Sequence, residues 1–373
     1  MPRCRIDRSL TRVVVGGFEF PLGVYPVEDM KPREGYTVAF EKADGGGDAP
    51  EFPIDRPDPD DSGDFGSTLE DGRRDDPFSG AHADRADLEA WPDRYVWDIV
   101  IRSSRLEALI RALLAMLPGR VYPILDVLGS DAYREIDPYV AYELVGQERV
   151  IEGLRLFRGF LLEDGLVGFG AMADEPFLYV FVDEHKICTV RAETSMREKV
   201  ERLLAAFDLE EVREIAGADA ALHEHRTVLE APDDRPDLVN ADEAVEELKD
   251  LWGLSLNVDG ERNLDDRGEE LGVCGWRCLV RAILDGGECR YVEALLTADC
   301  LNTAQDMAGD AAEIALSEEL TRAKAGADEG DPTLDIVTAD RLKPEEFVKA
   351  VKDASKQKPD LTHEDVWAVR LIE

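Results

Sequence analysis

The sequence predicts an α+β protein: two antiparallel or mixed sheet domains with helices packed on one face, plus a short N-terminal β segment. Three observations carry that expectation. Alternating apolar runs meet at turn signals in both halves of the chain, as where "FLYVFV" leads through "DEHK" into "ICTVRA". Amphipathic helical patterns fall between groups of strands and not after every strand, unlike the strict alternation of a doubly wound fold. At 373 residues the chain exceeds what one hydrophobic core usually serves, so more than one domain is expected.

Residues 1–42 read as short strands. "TRVVVGGFEF" places Gly16-Gly17 between two apolar runs, and "GYTVAFEKA" alternates. So little structure cannot hold a domain alone and is expected to join a neighbouring sheet. Residues 43–93 are rich in Asp, Gly and Pro and poor in large aliphatics. They read as a disordered acidic linker, because such a composition buries too little surface to offset its ordering entropy.

The first α+β domain is expected over 94–215 and opens with the strand "YVWDIVI". "SSRLEALIRALLAMLPG" then places Ser104 and Glu107 at capping-box spacing and Leu106, Leu109, Ile110, Leu113 and Leu117 on one helical face. It stops at Pro118-Gly119. "RVYPILDVL" reads as a strand near a sheet edge, since Pro123 cannot donate to a ladder, and "PYVAYEL" follows it. A helix over about 147–160, three further strands and a helix opened by Ser195 and Glu198 complete the domain.

Residues 216–240 read as a polar linker. The second α+β domain, 241–373, begins with a helix capped by Asn240 and Glu243. A hairpin follows in "LGVCGWRCLVRAILDGGECRYVEALL", then an alanine-rich helix over about 300–324. The chain closes as strand, helix, strand, with Pro344 in the first turn of the last helix.

Asp and Glu number 82 against 43 Lys and Arg, a formal net charge of −39. Such a surface repels a phosphate backbone, which argues against direct nucleic-acid binding. No run reaches the roughly 20 apolar residues that span a bilayer. "MPRCRIDRSLTRVVVGG" lacks the apolar stretch of a secretory signal. A soluble, cytoplasmic protein with reduced thiols and no membrane partner is expected.

The cysteines are the first candidates for chemistry. In the hairpin of 271–296, a two-residue turn puts Cys278 and Cys289 on one face but more than about 10 Å apart along the strands, too far for a shared metal or a disulfide. Cys274 and Cys278 are spaced C-x3-C with no second ligand pair, so zinc is disfavoured and buried free thiols are the expectation. Cys300 falls at the first turn of the long helix, where the helix dipole lowers a thiol's pKa, and His363 is its distant candidate base.

"LHEH" places His223 and His225 on one side of an extended segment at a spacing metals use, without a visible third ligand. His185, in "VDEHKI", reads as a hairpin tip, and all three read as solvent-exposed turn residues. "SLNVDGERNLDD", residues 255–266, puts Asn257, Asp259, Gly260, Asn263 and Asp266 at positions 3, 5, 6, 9 and 12 of a twelve-residue loop behind a helix. It resembles the calcium loop of EF-hand and dockerin modules. It departs from them at Ser255, where a ligand aspartate is missing, and at Arg262, where an aliphatic anchor is missing. The resemblance implies calcium on Asn257, Asp259, Asn263 and Asp266; the other reading is an Asx-rich turn leading out of the helix.

High acidity, an acidic tether and the lack of a coherent catalytic constellation together point to a non-enzymatic interaction or structural protein that binds a basic protein partner. The alternatives are an enzyme with a cysteine- or carboxylate-based site, and an acidic inhibitor that imitates nucleic acid. No cofactor is expected beyond the calcium candidate.

Overall fold

The computed structural model describes residues 3–43, 92–230, 235, 237–284, 289–322 and 332–372. Residues 44–91 of the expected acidic linker and the expected hairpin turn near 285–287 lie outside the described residues. The chain divides into two compact units, Met1–Leu125 with Tyr139–Ser255, and Asp126–Pro138 with Leu256–Glu373. The fold is α+β, with antiparallel sheets and helices in both units. Among the described residues, no helix is long and apolar enough to cross a membrane.

The first unit is built on a sheet whose antiparallel neighbours run Val167–Asp174, Phe177–Val182, Cys188–Glu193, Arg94–Val100 and Gly35–Glu41. The last of these comes from the N-terminal segment, which adds to the sheet as expected. Phe177–Val182 is buried along its whole length, so alternate side chains serve two faces. One set, Phe177, Tyr179 and Phe181, clusters with Ile124, Val140 and Met172.

Pro123 does not mark an edge, since its strand lies between two others. Its carbonyl accepts from Ala141 N (3.1 Å), and a strand can carry a proline where the acceptor and not the donor is used. The helix Ser103–Leu114 buries Leu106, Leu109, Ile110, Leu113 and Leu114, the face expected of it. Its N-cap, however, is Arg102, and Glu107 pairs with Arg111 and Arg158 instead of closing a capping box. Likewise Ser195 donates to Glu193 and caps nothing.

The helix Ala241–Trp252 carries the expected capping box between Asn240 and Glu243. It belongs to the first unit and not, as expected, to the second. Its buried face explains this: Trp252 is fully buried against Gly153 of the helix Gln147–Leu156 and donates from Nε1 to Arg149 O at 3.0 Å. A Cβ at position 153 would come within 2.6 Å of the indole, so only glycine lets the two helices approach this closely.

The second unit is a four-stranded antiparallel sheet in the order Thr333–Leu342, Cys274–Ile283, Cys289–Ala298, Asp365–Ile372. Trp276, Cys278, Val280 and Ala282 alternate onto one face with Val292, Ala294 and Leu296. Against them the helix Leu301–Arg322 lays Ala304, Ala308, Ala312 and Leu316, small residues that bring helix and sheet close. Leu295, Leu342, Phe347 and Val351 form a separate core cluster with the helix Pro344–Ser355.

A buried charged network ties residues 126–138 into this unit. The Arg341 guanidinium meets Asp131 through two nitrogens at 2.9 Å, and Arg341 N donates to the same carboxylate at 2.8 Å. Asn263 Oδ1 accepts from Arg341 Nη1 at 3.0 Å. Both members of the ion pair are buried, so each depends on the other for its charge to be tolerated.

Asp340, beside this network, is raised to about 6 by its burial and by the negative charges of Asp137 and Asp131. A carboxyl whose folded pKa lies above its unfolded value binds protons more tightly in the folded state. Its contribution therefore falls as pH rises from about 4 through about 6, then stays flat. Asp340→Asn is expected to be more stable than the parent by about 1–3 kcal/mol above pH 6, with the gain vanishing below pH 4. Urea unfolding across that range, following Trp276, measures it; a gain that grows on acidification contradicts the assignment.

Candidate metal centre

Two local structures of the first unit bring histidines together. Phe177–Val182 and Cys188–Glu193 pair with Val182 opposite Cys188, leaving the tight loop 183–187. Asp183 Oδ1 accepts from Ile187 N at 2.8 Å, and Lys186 N donates to Asp183 O at 3.0 Å with Lys186 in the left-handed region (φ 65°). The loop turns the Lys186 side chain inward, where its ammonium donates to Val167 O. Burial lowers that amine to about 8, against the opposing pull of Asp164 and Asp183. His185 sits at the loop's apex.

The second structure is a ribbon in which His223–His225 pairs antiparallel with Val24–Pro26. The period of two puts His223 and His225 on one face and Glu224 on the other. The ribbon is held to the segment before Val167–Asp174 by two glycines. Gly165 N donates to Arg226 O (3.2 Å), Arg226 N to Gly23 O (2.9 Å), and Gly23 N to Glu163 O (2.7 Å). A Cβ on Gly165 would lie 2.1 Å from Gly23 O, and one on Gly23 would lie 2.1 Å from Gly165 N. The buried Asp164 carboxylate clamps both sides, accepting from Leu166 N (3.0 Å) and Val228 N (2.8 Å).

The outcome is a three-imidazole cluster. His223 Nε2 lies 3.0 Å from Nε2 of His185 and 3.0 Å from Nε2 of His225. All three pairs of ring centroids are 4.8 Å apart, at interplanar angles of 74°, 74° and 75°. The rings thus stand around a pseudo-threefold axis. One ring nitrogen from each of the three lies within 4.8 Å of the others, close enough to share a single ion.

The far nitrogens settle the protonation. His223 Nδ1 lies 2.7 Å from Ala221 O, and His225 Nδ1 lies 2.6 Å from Gly165 O. A carbonyl only accepts, so both Nδ1 atoms carry the proton and both Nε2 atoms present lone pairs in the neutral rings. His185 Nδ1 lies 2.9 Å from Glu184 Oε1 and 3.7 Å from Asp183 Oδ2, at ion-pair distance from both carboxylates. Once His185 gives up the second proton that its neighbouring carboxylates favour, three lone pairs face one point, and a cation there would take three bonds. Carbonyl or carboxylate partners on the outer nitrogens are also what orient metal-bound histidines and raise their basicity.

Burial disfavours the charged form of His185, but the carboxylates of Asp183 and Glu184 outweigh it and hold the ring at about 9. The same negative charge favours a bound cation. Burial, with His185 and His223 alongside, holds His225 below the ordinary histidine value. The chain has five histidines, and three of them meet at this point.

No family model, curated protein or solved structure matches the chain. The centre must be read from its own geometry.

The exposed-turn reading of these histidines is therefore corrected. His185 does occupy a hairpin turn, but its side chain is only 14% exposed, and His223 and His225 are half-buried in a strand. The missing third ligand lies 38 residues upstream of His223. The available signal was local: an H-x-H segment together with a histidine directly preceded by two carboxylates, which is unusual when histidines are so few.

The other predicted site residues fall elsewhere. Cys300 Sγ lies 3.2 Å from Thr303 Oγ1, while His363 sits between Asp360 and Asp365 with its ring edge-on to Trp367. The two are not hydrogen-bonded to one another. Cys278 stands opposite Ala294 and Cys289 opposite Ile283, five residues apart along the ladder, so that pair is separated as expected. Cys278 is buried, and desolvation pushes its thiol up to about 12.

In the calcium-like loop, Asp259 Oδ1 accepts from Glu261 N, an Asx turn. Asn263 Oδ1 is taken by the Arg341 guanidinium, and Asn257 is buried with its N–H on Pro138 O. Asp266 is exposed, and partial desolvation raises its carboxyl. A guanidinium on one would-be ligand oxygen repels a cation there. The turn reading accounts for this loop better than the calcium one.

Proposed function

We propose that this protein is a metalloprotein that binds one divalent transition-metal ion through Nε2 of His185, His223 and His225, with the remaining coordination positions forming the working site. The convergence of three imidazoles, two tethered at Nδ1 by backbone carbonyls and the third flanked there by the carboxylates of Asp183 and Glu184, carries the reading. Three nitrogen ligands without thiolate favour zinc, nickel, cobalt, iron or copper over calcium or magnesium. Neutral ligands leave the ion's full charge in place, so it would act as a Lewis acid and lower the pKa of a bound water. Asp183, Glu184, Gly165 and Ala221 orient the ligands and take no part as ligands themselves.

Metal-free chain dialysed against zinc or nickel is expected to take up one equivalent. Each of His185→Ala, His223→Ala and His225→Ala is expected to lose it, and Glu184→Gln to weaken it by roughly 10-fold. Uptake that survives in the triple alanine variant overturns the assignment. At zinc concentrations about 100 times the dissociation constant, the parent is expected to gain about 2.7 kcal/mol of stability.

The net charge of −39 favours a second reading, in which a basic protein partner docks on the acidic surface. It is tested by salt-dependent capture of partners from a native extract, and binding insensitive to salt contradicts it.

A further inference from the structure

We infer, resting on the metal reading above, that the three histidines form a facial set on a six-coordinate ion and that its three open positions take a bidentate, anionic oxygen ligand. The spacing of the nitrogens carries this. With metal–nitrogen bonds of about 2.0–2.1 Å, an Nε2 separation of 3.0 Å subtends about 95° at the ion. A tetrahedral site with the same bonds needs nitrogens about 3.4 Å apart. The ring centroids point the same way, since all three separations are equal at 4.8 Å and the interplanar angles agree within a degree.

The backbone explains why the nitrogens are drawn this close. His223 and His225 are two residues apart on one ribbon face, so their spacing is set by the strand repeat and by acceptors at Ala221 and Gly165. His185 is aimed at them by the 183–187 loop, which Lys186 and Asp183 hold from beneath. The ligands arrive from one side of the ion, so the opposite three positions are mutually cis. Two histidines and a carboxylate in the same facial arrangement, with open positions, make the non-haem iron centres that activate small ligands; here a third imidazole stands in for the carboxylate.

The charge selects the ligand. Three neutral imidazoles neutralise none of the metal's charge, and the nearby carboxylates of Asp183 and Glu184 sit on the outer nitrogen of His185, away from the ion. An anionic chelate of the hydroxy acid, keto acid or catecholate class supplies both the missing charge and two adjacent oxygen donors.

Cobalt(II) loading of the full chain tests both parts. Six-coordinate cobalt absorbs weakly in the visible, while four-coordinate cobalt absorbs far more intensely and at longer wavelength. One equivalent of cobalt with the weak spectrum is expected, absent in His185→Ala. Acetohydroxamate, an O,O-chelating anion, is expected to shift that spectrum with one-to-one saturation and cobalt retained. An intense four-coordinate spectrum overturns the facial assignment while leaving the metal reading intact. A spectrum unmoved by acetohydroxamate, or cobalt stripped by it, overturns the ligand class. Failure to take up cobalt, zinc or nickel overturns the metal reading itself, so the two failures are separable.

Discussion

Asp131→Ala is expected to destabilise the second unit by about 3–5 kcal/mol, because it leaves the Arg341 guanidinium buried without its counter-charge. Arg341 is 3% exposed, and water cannot replace a partner that supplies both oxygens of a bidentate pair. The loss also reaches segment 126–138, since Arg341 N and Arg341 O hold Asp131 and Ala132 respectively. Asp131→Asn keeps the shape and loses the charge, so it is expected to fall between parent and alanine. Chemical denaturation followed by tryptophan fluorescence measures the series. Equal stability of parent and alanine variants contradicts the buried-pair account.

Gly165→Ala is expected to lower metal affinity by roughly 100-fold or more, although the substitution adds one methyl group and touches no ligand. The new Cβ would lie 2.1 Å from Gly23 O, 2.7 Å from Gly23 C and 3.2 Å from Arg226 N. Backbone has no rotamer with which to yield, so the ribbon bearing His223 and His225 must move off. His225 then loses the Gly165 carbonyl that fixes its ring. Competition against a chromophoric chelator reads the affinity. Gly119→Ala is the control, since a Cβ there meets nothing within 4 Å, and it is expected to bind metal as the parent does. Parent-like affinity in Gly165→Ala would mean that the close approach does not position the ligands.

Much of the local structure was legible from residues near in sequence. The helices Ser103–Leu114, Ala241–Trp252 and Pro344–Ser355 follow their apolar periodicity, and Asn240 with Glu243 forms the box that its spacing announces. Capping spacing alone was not sufficient. Ser104 and Glu107 have the same pattern, but Arg111 and Arg158 compete for Glu107 and the helix begins two residues earlier. Pro123 misled for a related reason: a missing N–H excludes a strand from the sheet interior only where a neighbour needs that donor.

The candidate site was half visible. H-x-H at 223–225 announces two ligands on one face, and that follows from strand geometry alone. The third ligand could not be read, because its position depends on a loop 38 residues away and on a ribbon pairing with residues 24–26 that only tertiary packing creates.

Taken alone, the sequence determined the α+β class, the order of most strands and helices, the separation of the hairpin cysteines and the acidity. Each of these follows from the period of apolar residues, from the rise of a strand or from a count of charges, all of which are properties of neighbours along the chain. The tertiary structure decided which unit owns the helix Ala241–Trp252, that Arg341 is neutralised by Asp131, and that three scattered histidines face one point. Those depend on the close approach of Gly153 to Trp252 and of Gly23 to Gly165, and on carbonyls brought to Nδ1 by backbone pairing. Chain segments far apart in sequence meet only when their backbones can touch, and here glycine is what lets them.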